Sequence, residues 1–410
     1  MAEDKGYSPR SVCVIGETPV LVRSYDLVLT NKGEADTLTV ILDMEYVDGG
    51  VFLQSEKRYE IEIWTGYIDE SISADKIALE KLLVGKKYEE KLFQRFFGVI
   101  DQPEWSIGFD NGLTLTARDI TGLLMDNKFS EKRQGGTTSA TQVIKSIASK
   151  LTGIELKIDA NNIYMGTKDG KSSSRVYNTA NKSYWQVILD VARTTGYNLK
   201  KGPKSIELVK EEADPLVWTL IKTATKDEHK PWTNFQEIKV RYGVSGRQQK
   251  ENVYVEVRAP GKRTKNSRGT PVIGKYPKNA SGFSGEENTQ YILKRVAKPL
   301  TQQEANVQAE YYAMQYLKGY MTGEVTMPFA NPQWKPDDCI TVVVDPSYKL
   351  YKDLKPMFTT QQGQKIFRID SISEHFDVGG YTQRVEFETH PKYEIKKFGE
   401  LKKTAPGTFE

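Results

Sequence analysis

Cysteine and histidine are nearly absent, with 2 and 3 copies among 410 residues. Cys13 and Cys339 are too few and too far apart for a disulfide framework or a zinc-binding spacing. Each sits in an apolar run, Val12–Ile15 and Cys339–Val342, and reads as a small buried hydrophobe. His229, His375 and His390 have no second histidine at helical spacing, so metal ligation is not expected. Charge of one sign is also missing: the formal net charge is +4. Basic residues gather at Lys200–Lys204, at Lys262–Arg268 and at Lys396, Lys397, Lys402 and Lys403. Each group lies beside Gly, Pro or Ser or near the chain end, which reads as solvated loop, and no specific nucleic-acid partner is expected. There is no apolar run long enough to span a bilayer. The polar start Met1–Lys5 lacks the hydrophobic stretch of a secretory signal. Synthesis and assembly in the cytoplasm follow as expectations, and the sequons at Asn181 and Asn279 read as chance matches.

What the chain does have is tyrosine, 22 of them, and many short β-branched and aromatic runs. Pro19–Thr30, Thr37–Met44 and Tyr59–Thr65 read as strands separated by Gly-containing turns. Residues 72–90 read either as a short helix or as an inserted loop. Lys91–Ile100 and Gly112–Arg118 are further strands; in the second, Leu113, Leu115 and Ala117 share one face. This spacing predicts a small barrel or sandwich. The pattern changes near Ser130. Ser139-x-x-Gln142 and Ser183-x-x-Gln186 are capping boxes, followed by the helical faces Val143, Ile144, Ile147, Ala148, Leu151 and Tyr184, Val187, Ile188, Val191, Ala192. Gly153 and Gly196 are the expected stops. Strands return after Pro215, at Phe235–Tyr242 and Asn252–Arg258. Residues 260–290 read as one long loop. Thr301-x-x-Glu304 opens a third helix with the stripe Ala305, Ala309, Tyr312, Ala313, Tyr316 and a stop at Gly319. Gly323–Met327, Cys339–Val344, Gln364–Phe376 and Gly380–Thr389 are the last strands, and the chain beyond Pro391 reads as a loose charged tail.

One pattern occurs twice. Phe97-Gly-Val-Ile-Asp101 precedes the Gly-started strand at Gly112, and Phe367-Arg-Ile-Asp370 precedes the Gly-started strand at Gly380. Either a barrel is duplicated or two hairpins are alike by chance.

Catalytic chemistry needs convergent polar groups at workable spacing, and few are present. There is no G-x-S-x-G elbow. Gly269–Lys275 fits most of a phosphate-binding loop, but Tyr276 stands where the hydroxyl for magnesium should be, and Pro277 prevents a helix from starting there. The carboxylate pairs Asp101/Glu104, Asp337/Asp338 and Glu386/Glu388 read as turns, or as the wet face of a strand. Trp105, Trp218, Trp232 and Trp334 lie near strand ends and read as packing residues. No catalytic, cofactor-binding or metal site is expected, and the chain reads as a non-enzyme.

The order of these segments carries a family resemblance: barrel strands with Phe97–Ile100 and Leu113–Asp119, the capped unit containing Trp185–Ala192 and Thr195–Tyr197, then the helix Gln303–Leu317 leading into Gly323–Val325. From about Val12 to about Thr389 the chain resembles the tail baseplate hub family of contractile-tailed phages and bacteriocins, the late control protein D type, related to the hub part of type VI secretion spike proteins. The resemblance implies a mainly β chain with an α+β insertion: two small tudor-like β-barrel domains, 1–129 and 215–391, around a peripheral α+β domain, 130–214, with a charged tail, 392–410. It also implies a homotrimer whose six barrels form a pseudo-sixfold ring between a sixfold tail tube and a threefold spike, within the virion baseplate. The partners would be tail tube, central spike and baseplate wedge proteins. Two rival readings are a tail-associated peptidoglycan hydrolase and a host-surface-binding tip protein of a non-contractile tail.

Overall fold

In the computed structural model, residues 7–42, 59–69, 83–106, 112–129, 133–134, 139–168, 175–209, 217–222, 235–242, 252–261, 269–278, 289–296, 299–318, 321–360 and 363–394 are described, apart from positions 32, 152, 162, 164, 166 and 347. The chain begins with β1 (Tyr7–Ile15), β2 (Thr18–Thr30), β3 (Thr37–Leu42), β4 (Glu60–Asp69), β5 (Phe93–Ser106) and β6 (Gly112–Asp119), with a 3-10 turn at Val84–Glu90 before β5. These strands alternate buried and exposed side chains: in β3, Leu38, Val40 and Leu42 point inward. The pairings run β1-β4-β5-β6-β3-β2, and β2 pairs back onto β1, so the six strands close into a barrel. Cys13, Tyr25, Ile61, Ile63, Phe96 and Leu115 belong to its core.

After β6 the chain leaves the barrel for an α+β unit: α1 (Ile120–Asp126), β7 (Arg133–Gln134), α2 (Ala140–Ala148), β8 (Glu155–Lys157), β9 (Thr167–Lys168), β10 (Arg175–Asn178), α3 (Tyr184–Thr195), β11 (Asn198–Lys201) and β12 (Ser205–Val209). Both expected capping boxes form. Ser139 Oγ accepts from Gln142 N while Gln142 Oε1 accepts from Ser139 N, and Ser183 and Gln186 repeat this on α3. Gly196 caps α3 with φ 72°. α2 departs from expectation and stops at Ala148, so Leu151 and Gly153 lie beyond it; Leu151 still packs on the unit's core of Val143, Ile147, Trp185 and Ile188.

The rest comprises β13 (Val217–Lys222), β14 (Glu237–Tyr242), β15 (Asn252–Ala259), β16 (Val272–Tyr276), β17 (Thr289–Arg295), α4 (Gln302–Lys318), β18 (Met321–Met327), β19 (Cys339–Val344), α5 (Tyr351–Phe358), β20 (Thr359–Thr360), β21 (Gly363–Asp377) and β22 (Gly380–Glu394). The path β13-β19-β21-β22-β18-β14 has the same order as the first barrel, with β13 in the place of β1, β14 of β2, β18 of β3, β19 of β4, β21 of β5 and β22 of β6. Two differences matter. β13 runs parallel to β19 where β1 runs antiparallel to β4, and no pairing of β13 with β14 closes the ring among the described residues. The twofold pattern in the sequence marks equivalent strands. In β5–β6 the register slips at Asp101 and in β21–β22 at Asp370, so the repeated aspartate is the extra residue of a β-bulge in both hairpins. The mainly β fold with a helical insertion is therefore the one expected.

The long loop expected over 260–290 is interrupted: β16 pairs antiparallel with β15, and β17 pairs with β15 on its other side. Residues 262–268 and 279–288 lie outside the described residues. α4 lies on this three-stranded sheet through Ala305, Ala309 and Ala313, opposite Val253, Val255 and Val257. Gly274, the last glycine of the phosphate-loop-like string, sits under it: a Cβ there would lie 2.0 Å from the Ala305 carbonyl oxygen. That glycine serves helix–sheet approach, not phosphate. The β22 strand also runs past Pro391 to Glu394, into the segment expected to be loose. Gly274→Ala should lose about 1–3 kcal/mol of stability as α4 is pushed off its sheet, measured by urea denaturation; an unchanged midpoint would contradict this packing.

Candidate functional site at the junction of the two barrels

The two barrels share one 13-stranded sheet because the second half of β2 pairs antiparallel with β21, Tyr25 opposite Phe376 through Thr30 opposite Ser371. Polar side chains converge beneath this seam. Arg95 on β5 donates from Nε to Glu374 Oε1 on β21 over 3.0 Å, and its Nη2 reaches the same oxygen. Arg95 Nη1 donates to the Pro332 carbonyl at 2.6 Å. Gln383 Nε2 donates to Glu374 Oε1 at 2.9 Å, and the Tyr381 and Tyr25 hydroxyls donate to Oε2 at 2.8 and 3.3 Å. Arg95 is 6% exposed and Glu374 2%, so the pair is desolvated, and each guanidinium nitrogen and both carboxylate oxygens have a hydrogen-bond partner. Burial pulls the Arg95 pKa down, but the facing carboxylate outweighs it and the net shift is upward. Burial, then the charge of Glu374, pushes both phenols upward, so Tyr25 and Tyr381 stay neutral donors.

A second junction lies at the β2–β3 turn of the first barrel, which the second barrel and the α+β unit both hold. From the second barrel, Asp337 Oδ1 accepts from Asn31 Nδ2 at 2.7 Å and Asp370 O accepts from Asn31 N at 3.1 Å. From the α+β unit, Trp185 Nε1 donates to Gly33 O at 2.5 Å, and Lys201 Nζ donates to Glu34 O at 2.9 Å and Asp36 Oδ1 at 2.8 Å. Asp119, the N-cap of α1, lies 3.4 Å from the same ammonium. A cleft of about 450 Å³ opens beside the turn, lined by Asn31, Asp36, Arg95, Lys201 and Asp337 among others. Burial, with help from the charge of Asp119 and against that of Lys201, pushes Asp36 up to about 6.

The sequence candidates scatter. Cys13 and Cys339 are both fully buried, and burial pushes the Cys13 thiol upward, away from thiolate chemistry. His375 is exposed between Asp26 and Asp377, at 2.8 and 3.2 Å; the Asp26 bond foremost raises its pKa. His229 and Trp232 lie outside the described residues, and His390 falls in β22. Asp101 pairs with Arg118 Nε at 2.6 Å on the surface. Asp101 and Glu104 around Pro103, expected as a turn, instead lie in the exposed end of β5, because Pro103 is tolerated on an edge where its missing N–H would face solvent. Asp337 accepts from Arg368 Nε at 2.8 Å, and Asp338 from Trp218 Nε1 at 3.2 Å. Glu386 accepts from Ser371 Oγ at 2.9 Å, and it and Glu388 are half-buried on the face opposite Val385 and Phe387. Trp105 is exposed, while Trp334 is buried and packs near Trp218 at 6.0 Å. The basic group Lys200–Lys204 is not wholly solvated, since the Lys201 side chain is only 12% exposed against Asp36. Of the carboxylate pairs, Asp337 and Asp338 line the cleft beside the β2–β3 turn with Asp36, Asp119 and Lys201, and both are already held, Asp337 by Asn31 and Arg368 and Asp338 by Trp218 and the Lys335 N–H. Among the described residues no cluster of three or more His, Cys, Asp or Glu is arranged to hold a metal ion, and no helix is long and apolar enough to cross a membrane. Sequence reasoning missed Arg95 and Glu374, which lie 279 residues apart and carry no local motif.

Two predictions test the junction. Glu374→Leu leaves a buried guanidinium unpaired and should cost about 3–5 kcal/mol, whereas Glu374→Leu combined with Arg95→Met should cost less than the sum of the two single variants in urea denaturation. The raised Asp36 pKa means that the folded state binds a proton more tightly than the unfolded state, whose Asp titrates near about 4. Its stabilisation is therefore complete below about 4 and lost as pH rises through about 6. Across that window the wild type should lose stability relative to Asp36→Asn as pH rises; parallel stability–pH curves would contradict it.

No protein-family model matches the sequence, and no curated protein matches it. Solved structures do match. The tail protein from Neisseria meningitidis MC58 aligns over 93% of this chain and 96% of its own, with a TM-score of 0.57 at 12% identity. The 43 kDa tail protein of prophage MuSo2 from Shewanella oneidensis aligns over 93% and 98%, with a TM-score of 0.56 at 12% identity. A chain of the half-lidded Francisella PdpA–VgrG complex aligns over 95% of this chain and 60% of its own, with a TM-score of 0.53 at 9% identity. Over nearly its whole length, through both barrels and the units inserted between their strands, this chain has the fold of phage and prophage tail proteins.

Proposed function

We propose that this chain is a structural, non-catalytic hub of a contractile phage tail or a phage-tail-like particle. Three copies form a ring in the tail baseplate, with the two barrels of each copy giving six quasi-equivalent positions. The ring adapts a sixfold tail tube to a threefold spike, and wedge proteins bind its periphery. The barrels correspond to about 1–129 and 215–391, and the α+β domain between them to 130–214. The observation that carries this reading is the repeat itself: two six-stranded paths of the same order in one chain, joined edge to edge. A repeated unit in one chain lets a threefold assembly present sixfold surfaces. The fold shared with tail proteins supports it. So does the character of the buried polar groups, in which Arg95, Glu374, Gln383 and the two phenols are spent on one another rather than on a substrate.

The test is solution mass by light scattering across a concentration series, alone and with tube and spike proteins, followed by electron microscopy of any assembly. A trimer whose averages show threefold symmetry with six similar lobes is expected. A monomer or dimer at every concentration, with and without those proteins, would overturn the reading.

A further inference from the structure

Among the described residues two strand edges are left without a partner, and the barrel repeat relates them. β14 pairs with β18 on one side only. β5 pairs with β4 only as far as Val99, so its end, Gln102–Ser106, has β6 on one side and no described strand on the other; every residue from Asp101 to Ser106 is exposed. Trp105, 36% exposed, stands in this edge. Within the chain, the equivalent edges are the ones that meet, because β14 occupies the place of β2 and β5 that of β21.

The ladders give this equivalence residue by residue. Aligning the bulges at Asp101 and Asp370 equates Glu104 with Ser373 and Trp105 with Glu374. Following the registers across β6, β3 and β2, and across β22, β18 and β14, equates Tyr25 with Ile238, Leu27 with Val240 and Val28 with Arg241. At the internal seam Leu27 faces Glu374 and Val28 faces Ser373.

We infer that the edge of β14 in one copy pairs antiparallel with the Gln102–Ser106 edge of β5 in a second copy of this chain, repeating the internal β2–β21 seam between subunits. This rests on the ring proposed above and assigns its contact. The register then sets Arg241 opposite Glu104 and Val240 opposite Trp105. The first pair is of opposite charge although its internal counterpart, Val28 and Ser373, is uncharged, so the complementarity is not inherited from the repeat. Both members are exposed in the single chain. Cross-strand opposite charges stabilise a ladder, and like charges oppose it. Pairing would also cover Trp105 and answer the N–H and C=O groups along both edges that pair with no described strand, which otherwise template unwanted association. Pro103 has no N–H and so withholds at most one bond from this ladder. Because the two edges differ, the contact is head-to-tail and closes into a ring rather than a twofold dimer when its rotation permits.

The test uses the full chain. A Glu104→Cys copy mixed with an Arg241→Cys copy should form a disulfide-linked pair on oxidation, since directly opposed strand residues lie within the reach of a disulfide; neither single variant should do so alone. Arg241→Glu should raise the concentration for half-assembly at least about tenfold by setting two carboxylates face to face, and adding Glu104→Arg should restore it. Circular dichroism on each variant checks that the fold is kept. A trimer without the 104–241 link, insensitive to the charge reversal, would overturn the edge pairing and leave the ring standing. Absence of any oligomer under all conditions would overturn both.

Discussion

The buried ion pair of Arg95 and Glu374 is the constraint on which the arrangement of the two barrels depends. Neither charge can be left alone at that depth. Arg95 must therefore stay opposite β21, and Glu374 must keep Tyr25, Tyr381 and Gln383 as its remaining donors. Gln383 in turn holds the Asn331 backbone through both its amide atoms, at 2.8 and 3.0 Å, which places the loop that supplies the Pro332 carbonyl to Arg95. The cycle of bonds thus ties β5 and β2 of the first barrel to β21, β22 and the β18–β19 loop of the second. Hydrophobic contact alone would let two barrels slide along a shared sheet. A charge pair with directional partners admits one register.

The β2–β3 turn plays the same part toward the α+β unit. It is short, polar and gripped through backbone carbonyls by Trp185 and Lys201 on one side and through Asn31 by the second barrel on the other. One ammonium, Lys201, is shared between Asp36 and Asp119, and burial of Asp36, with the charge of Asp119 beside it, outweighs Lys201 and raises the Asp36 pKa. Edges complete the picture. In the first barrel β2 closes on β1 and then turns its remaining edge to β21, whereas β14, its counterpart, has no such neighbour among the described residues.

Much of this was legible in particular residues. The capping boxes at Ser139, Ser183 and Thr301 announced their helices because a cap is a local hydrogen-bond exchange among residues three apart. Phe97–Asp101 and Phe367–Asp370 announced a repeated hairpin because a bulge needs an extra residue at the same place in each. Gly269–Lys275 fits part of a phosphate loop, and Tyr276 and Pro277 already spoke against one; the structure adds what the glycine is for, since Gly274 meets α4. Asp101 and Glu104 misled: they looked like a turn because Pro103 was read without knowing that the strand lies at an edge.

By itself the sequence determined the alternation of strands, the three long capped helices, the absence of paired histidines and cysteines, and a hairpin pattern that occurs twice. All are local properties, settled by periodicity, capping and composition. Only the tertiary structure decided that Arg95 meets Glu374, that Lys201 sits largely covered between two aspartates, and that β2 meets β21 while β14 has a single strand neighbour among the described residues. Those depend on burial and on pairing between residues hundreds of positions apart. The electrostatic cost of desolvation that makes them specific exists only once the barrels have come together.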